Sequence, residues 1–234
     1  MTKKDDLRAQ HTGMILNLTS KRQEDSIGQA LMATIAKIKE QFGLTLTHEQ
    51  QWWLRDVIER LRSEFPDVDF ADVLPRASMR PDGGILSVVD KRGIGHPILI
   101  AEVKNQGTND LRALEGLVRQ ARGNAIERLG KNVIGFRAAM LREGIMPFVC
   151  FGYGCDFSED SSILGRVITI AMFGPLNEIN VVPEGTKGQF NRGSYFFREE
   201  PWTVEEMTNT FVEVARRSIH FYFAKYGSDA FESD

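Results

Sequence analysis

The chain has 234 residues, 42% of them hydrophobic and 26% charged, with 29 Lys plus Arg against 32 Asp plus Glu and a formal net charge of -3. That balance suits a globular chain able to bury a substantial core without disulfides, and it excludes disorder, collagen-like repeats and coiled coil. There is no bulk basic surplus of the kind that advertises a polyanion partner.

The two cysteines, Cys150 and Cys155, lie close together on an apolar stretch, and the histidines are scattered at His11, His48, His96 and His220. This argues against a zinc site and for a reducing compartment. The N-terminus begins Met1-Thr2-Lys3-Lys4-Asp5-Asp6 and stays polar, and no apolar run has a membrane-spanning length. A cytoplasmic protein without a membrane partner is expected.

The elements follow in order. Between Ser26 and Gly43 the residues Ile27, Leu31, Ile35 and Ile38 recur at helical spacing, with Gly43 as the stop. Thr47 with Gln50 three residues on forms a capping box and predicts a second helix, whose stripe Trp53, Leu54, Val57, Ile58 and Leu61 ends near Pro66. Ile85 to Val89 and Pro97 to Lys104 are β-prone runs joined by Asp90-Lys91-Arg92-Gly93-Ile94-Gly95, which predicts an antiparallel hairpin. From Asn109, Leu111, Leu114, Val118 and Ala121 mark a helical face. Gly123-Asn124 interrupts it, and Ile126, Leu129, Val133, Phe136 and Met140 mark another helix up to Gly144. Pro147 to Tyr153 and Leu164 to Met172 read as buried strands. The last helix starts at Thr203, with Glu206 completing a capping box after Pro201, and runs to Tyr226; its Phe221-Tyr222-Phe223 is expected in the core. This order predicts an α/β fold with a mixed sheet covered by helices. We read one domain over 1–234, with N-terminal helices in 26–65, a core in 78–157 and a C-terminal strand and helix region in 158–234.

The hairpin brings carboxylates together. The midpoint between Asp82 and Glu102 is residue 92, inside the predicted turn, so Asp82 should return beside Glu102 with a cross-strand Cα separation of about 5 Å. Alternation puts Ile98, Ile100, Glu102 and Lys104 on one face and Leu99, Ala101 and Val103 on the other. Carboxylates this close repel unless one is protonated or a cation lies between them, and two oxygen ligands beside a lysine suit Mg²⁺. Such a site, with Lys104 orienting water or stabilising charge on a phosphate, fits metal-assisted phosphodiester hydrolysis. The plainer reading is a solvated Glu-x-Lys ion pair beside an ordinary Pro-Asp-Gly turn. Against it, Glu102 and Lys104 interrupt a run that otherwise reads as a buried strand, where charges need a reason.

Between Leu111 and Arg142 there are seven basic residues (Arg112, Arg119, Arg122, Arg128, Lys131, Arg137, Arg142) against two acidic ones (Glu115, Glu127), a balance of +5 that leaves -8 for the remainder. Arg112, Arg119 and Arg122 fall on the polar side of their helix, as a phosphate track or as a solvated basic face. Inside the strip, Gly123 frees the backbone and Asn124 is placed as N-cap of the next helix, whose first N–H groups suit an anion or a groove. Asn can bond an adenine edge, Arg can donate to purine acceptors and Glu can accept from an exocyclic amine; Glu127 beside Arg128 equally fits a helix-surface pair.

Ser78-Met79-Arg80-Pro81-Asp82-Gly83-Gly84, Ala101-Glu102-Val103-Lys104-Asn105-Gln106-Gly107, and Gly123 to Arg128 followed by Lys131-Asn132 together resemble the EcoRI family of restriction endonucleases. The similarity is clear from Ser78 to Phe157 and faint at both ends. Its PD and ExK elements are shared by many nucleases, whereas the Gly-Asn-Ala-x-Glu-Arg hexapeptide marks the AATT-reading branch. The resemblance implies a PD-(D/E)XK restriction-endonuclease-like α/β fold, a central five-stranded mixed sheet flanked by helices, and a homodimeric type II enzyme acting on double-stranded DNA. By matching positions, Asp82, Glu102 and the backbone carbonyl of Val103 would hold Mg²⁺, and Lys104 would complete the catalytic set. Asn124, Ala125, Glu127 and Arg128 would read a central AATT, each protomer taking one half of a palindrome, with GAATTC favoured. A cognate DNA methyltransferase is expected in the same restriction-modification system, though not as a bound partner.

This chain also departs from the family. Gln189-Phe190-Asn191-Arg192 keeps the first of two arginines that help read the outer G·C pair, so Arg192 is carried as a DNA-binding candidate; Tyr195 stands at the second position and leaves the outer pair open. Asn105 replaces a family histidine. Two rival readings are a repair or structure-specific nuclease with the same metal core and a catalytically silent DNA-binding module; the intact Asp82, Glu102 and Lys104 set speaks against the latter. Lys3 to Arg22 reads as a disordered tail, or as an arm that orders on DNA. Split by position, the charge of -3 is compatible with an enzyme whose selectivity rests on the ratio of specific to nonspecific binding.

Overall fold

A computed structural model of the chain describes residues 16–105, 116, 124–154, 157, 161–183 and 191–232. In order, its elements are α1 (Leu16–Phe42), β1 (Leu46–Glu49), β2 (Trp52–Trp53), α2 (Leu54–Glu64), β3 (Ser78–Met79), β4 (Gly84–Val89), β5 (Gly95–Asn105), α3 (Asn124–Ala139), β6 (Phe148–Tyr153), α4 (Ser162–Ile170), β7 (Ser194–Arg198) and α5 (Val204–Tyr226). Five strands form one sheet in the order β1-β4-β5-β6-β7, and β2 pairs with β3 in a small second sheet. The pairs β1/β4 and β4/β5 are antiparallel, whereas β5/β6 and β6/β7 are parallel.

Sequence dictates which strands lie deepest. Ile98 to Ala101 of β5 and Phe148 to Phe151 of β6 are continuous apolar runs, and all are buried because helices cover both faces of the parallel half. On one face α1 and α5 pack together and onto β5, with Phe211 and Trp202 against Phe151. On the other, Phe136 of α3 meets both Phe148 and Trp52. The result is the helix-flanked mixed sheet that the element order predicts. Among the described residues no helix is long and apolar enough to cross a membrane.

Three local expectations fail. Leu164 to Met172 is not a strand but lies largely in α4, where the Ser161 hydroxyl accepts the Ile163 N–H at 3.1 Å and Ile163 and Val167, one turn apart, are the buried pair. Its β-branched content masks a helix with a proper N-cap. Thr47 and Gln50 do not cap a helix: Thr47 pairs with Ser87 in β1, and α2 starts at Leu54 without a side-chain cap. Edge pairing with β4 overrides a two-residue capping pattern. α1 begins at Leu16 rather than Ser26, so Leu16 to Arg22 is helical rather than tail. Strand β7 is an addition to the elements expected from the sequence pattern. The helix expected from Asn109 lies outside the described residues, as do Cys155 and the segment before Leu16. The final helix carries its capping box as expected, with Thr203 and Glu206 reciprocally bonded.

The turn end of the β4–β5 hairpin is clasped by charge. Asp90 accepts N–H bonds from Arg92 at 3.0 Å and Ile94 at 2.8 Å and pairs with the Arg92 guanidinium at 2.8 Å. Fully buried His96 lies between Asp90, 3.4 Å from Nε2, and Glu143, 3.1 Å from Nδ1, ringed by Tyr222, Tyr226 and Phe231. Burial alone would raise the Asp90 carboxyl, but the donors outweigh it and bring its pKa down to about 2. The Lys91 N–H adds a bond to the Ala230 carbonyl at 2.8 Å, joining the turn to the C-terminal segment. The opposite end of the hairpin carries the site.

Candidate active site

Asp82 sits on the turn Pro81-Asp82-Gly83-Gly84 that leads into β4. The Gly83 N–H donates to the Ala101 carbonyl at 2.8 Å, the Gly84 N–H to the Pro81 carbonyl at 3.1 Å, and Gly84 takes a φ of 77°, a conformation that favours glycine. The register corrects one detail of the hairpin. A bulge between Leu86 and Ser87 shifts the pairing so that Gly84 faces Ala101. Asp82 is thereby carried one residue past Glu102, and its Oδ2 accepts the Val103 N–H at 3.2 Å. The two acids still meet, because the Asp82 N–H donates to Glu102 Oε2 at 3.2 Å.

Three oxygens converge on the Lys104 ammonium. It lies 3.0 Å from Asp82 Oδ2 and 3.2 Å from the Val103 carbonyl, and it is ion-paired with Glu102 Oε1. The Glu102 side chain is 1% exposed and that of Asp82 31%, so the site has a buried floor and an open rim. Burial lifts the Glu102 carboxyl above the usual carboxylate range, with the Asp82 charge adding to it and Lys104 opposing. Burial pulls the Lys104 ammonium down, but Glu102 and Asp82 outweigh it and its affinity for the proton rises. The plainer reading of a solvated surface pair does not survive this geometry.

The same residues pass a test for a hard cation. A positive charge already occupies the point where Asp82, Glu102 and the Val103 carbonyl converge, and an oxygen-only donor set suits Mg²⁺ rather than a soft metal. Among the described residues no group of three or more His, Cys, Asp and Glu side chains could hold a metal, so the candidate set is two carboxylates and a carbonyl. Behind it, Cys150 is the register partner of Glu102 and is fully buried, which pushes its thiol well above the ordinary range and leaves it neutral. A cleft of about 710 Å³ opens beside Asp82, lined by His48, Gln50 and Arg80 with Met32 of α1. His48 is a site neighbour that sequence reasoning misses: nothing local distinguishes it from the other scattered histidines.

The expected base-reading residues are distributed unevenly. Asn124 and Ala125 open α3, and Glu127 and Arg128 are exposed on its first turns, while Ile126 and Leu129 face the core. Arg192 is differently situated. It is buried before β7, where its Nη2 donates to the Pro175 carbonyl at 2.9 Å and burial lowers its pKa. Tyr195, also buried, is in register with Cys150. Asn105 is exposed at the end of β5, and Arg112, Arg119 and Arg122 lie outside the described residues.

Comparison with known proteins gives the chain's relatives. The family model described as restriction endonuclease EcoRI matches residues 9–182. The type II restriction enzyme RsrI of Cereibacter sphaeroides is 30% identical over 239 residues, covering 88% of this chain and 86% of that protein. The type II restriction enzyme EcoRI of Escherichia coli is 35% identical over 127 residues, covering 49% of this chain and 46% of that protein.

Proposed function

The chain belongs to the EcoRI family of restriction endonucleases, and from that premise we propose that it is a type II enzyme that hydrolyses double-stranded DNA at a palindrome with central AATT, using Mg²⁺ held by Asp82, Glu102 and the Val103 carbonyl. The observation that carries the reading is the convergence of those three oxygens on one cation, the Lys104 ammonium. Mg²⁺ bound there supplies Lewis acidity toward phosphoryl oxygens and a bound water of lowered pKa.

The chain's own residues do the rest. Glu102 brings a carboxylate into a dry floor, where its attraction for a cation is little screened. Lys104 stays protonated and presents positive charge to a phosphate entering over the open rim. The Asp82 Oδ2 is oriented by the Val103 N–H, so the carboxylate needs little reorganisation. Asn124, Ala125, Glu127 and Arg128 are the proposed readers of the inner bases, and Glu127 and Arg128 are exposed near the start of α3. A two-fold homodimer matches a palindromic site, and a methyltransferase of the same specificity protects the host's own copies.

The test is a Mg²⁺-dependent plasmid digest with the product ends sequenced. Cuts at a single palindrome containing AATT are expected. The Asp82→Ala variant is expected to leave the plasmid intact while still binding that sequence selectively. Ends scattered without preference would point to a structure-specific nuclease, and full cleavage by Asp82→Ala would remove Asp82 from the chemistry.

A further inference from the structure

The turn that carries Asp82 is also tied down from outside its own hairpin. The Asp82, Gly83 and Gly84 N–H groups donate to Glu102, Ala101 and Pro81, all within the Pro81 to Glu102 segment. The carbonyl of Gly83 meets a different element: Nε2 of His48, on the edge strand β1, lies 3.1 Å from it. The imidazole is packed so tightly on the turn that a β carbon on Gly84 would strike Nε2 and the Glu49 carbonyl. The pairing of His48 with Leu86 places the ring beside the turn, and the ring lines the cleft next to Asp82.

We infer that His48 is a positioning residue for DNA cleavage: by donating from Nε2 to the Gly83 carbonyl it fixes the pitch of the turn and with it the Asp82 carboxylate. A carbonyl accepts only from a protonated nitrogen, so this bond places the proton of the neutral ring on Nε2. The Asp82 Oδ2 has two partners to satisfy, the Val103 N–H at 3.2 Å and Lys104 Nζ at 3.0 Å, and a small slide of the turn loses both. Misplacing a reacting group by about 1 Å costs on the order of a hundredfold in rate, so a bond one peptide away from Asp82 has leverage on turnover. Edge strand β1 thus contributes to the site although it supplies no ligand.

The inference rests on Asp82 being a catalytic ligand, and the experiment separates the two. Plasmid cleavage by His48→Ala and His48→Gln is measured as kcat and as the Mg²⁺ concentration for half-maximal rate, with Asp82→Ala as reference and DNA affinity measured in EDTA. His48→Ala is expected to lower kcat by about tenfold to a hundredfold and to raise the Mg²⁺ requirement, with DNA affinity unchanged. His48→Gln, whose amide nitrogen reaches the same carbonyl, is expected to recover most of both. Unchanged kcat and Mg²⁺ requirement in His48→Ala, equal losses in Ala and Gln, or a loss confined to DNA affinity would each overturn the positioning role. Wild-type cleavage by Asp82→Ala would instead overturn the underlying site.

Discussion

Asp90 offers a quantitative test of how the hairpin that carries the proposed site is held. Its carboxyl titrates at about 2 in the fold against 3.8 for the free side chain. Each tenfold change in proton affinity is worth about 1.4 kcal/mol, so the charged form contributes about 2 kcal/mol at pH 7. The Asp90 side chain is 3% exposed, so solvent screening takes little from this. The sign is that of a depressed carboxyl: it stabilises above its unfolded pKa, and the contribution is lost as pH falls toward the folded value, reaching about half near pH 3. In urea titrations, Asp90→Asn should be less stable than the parent by about 2 kcal/mol at pH 7 and by about half that at pH 3. The thermal midpoint at pH 7 should drop by about 4 to 8 °C for a chain of this size. Cleavage at 25 °C should persist, because Asp90 lies at the turn end of the hairpin and Asp82 and Glu102 at the other. A stability gap of the same size at pH 7 and pH 3 would show that Asp90 acts through shape rather than charge, and the reasoning would fail.

Two further outcomes follow from the site and its packing. Arg128→Ala should lose discrimination at the inner bases by about 1 to 3 kcal/mol, read as the ratio of affinities for a matched and a mismatched duplex; equal loss on both duplexes would make Arg128 a phosphate contact instead. Gly83→Ala would set a β carbon 2.8 Å from Ala101 Cβ and 3.1 Å from the Ile27 side chain, so it should destabilise by about 1 to 3 kcal/mol and slow cleavage by tilting the Asp82 turn. Adding Ala101→Gly should restore part of both in melting and plasmid assays, and no recovery would place the strain elsewhere.

The half of the fold that carries the proposed site is legible because its signals are redundant. The run from Ile98 to Val103 is apolar enough to demand burial, and Glu102 and Lys104 inside it are costly enough to demand a function. The turn between the strands supplies a register good to one residue. What escapes is the bulge at Leu86 and Ser87, because no residue there advertises an extra position. The consequence is local: it trades a direct Asp82–Glu102 pairing for the Val103 N–H bond that orients Asp82. The errors in α4 and β1 have one cause. Pattern reading weighs a few neighbours, whereas the Ser161 cap and the pairing of Thr47 with Ser87 are settled by what each segment packs against. His48 illustrates the limit more sharply, since its relation to Gly83 spans 35 residues and exists only once β1 has joined β4.

Charge is where reading by position and reading by structure part most usefully. The net value of -3 counts acids that the fold pairs with arginines. Glu206 is bound by Arg198, which brings it down to about 2, Glu213 by Arg216 and Arg217, Asp90 by Arg92, and Asp72 by Arg62. The basic strip divides in the same way. Arg142 is paired with Glu64 at the surface and Arg137 meets the Met172 sulfur, Arg128 and Lys131 are exposed on α3, and Arg112, Arg119 and Arg122 lie outside the described residues. The field that a phosphate backbone would meet is therefore set by which charges the fold has left on the surface, and neither the overall sum nor the local sum of +5 measures it. The Arg142–Glu64 pair takes one charge of the strip out of that field, and in the proposed function discrimination rests on base-edge contacts by Glu127 and Arg128.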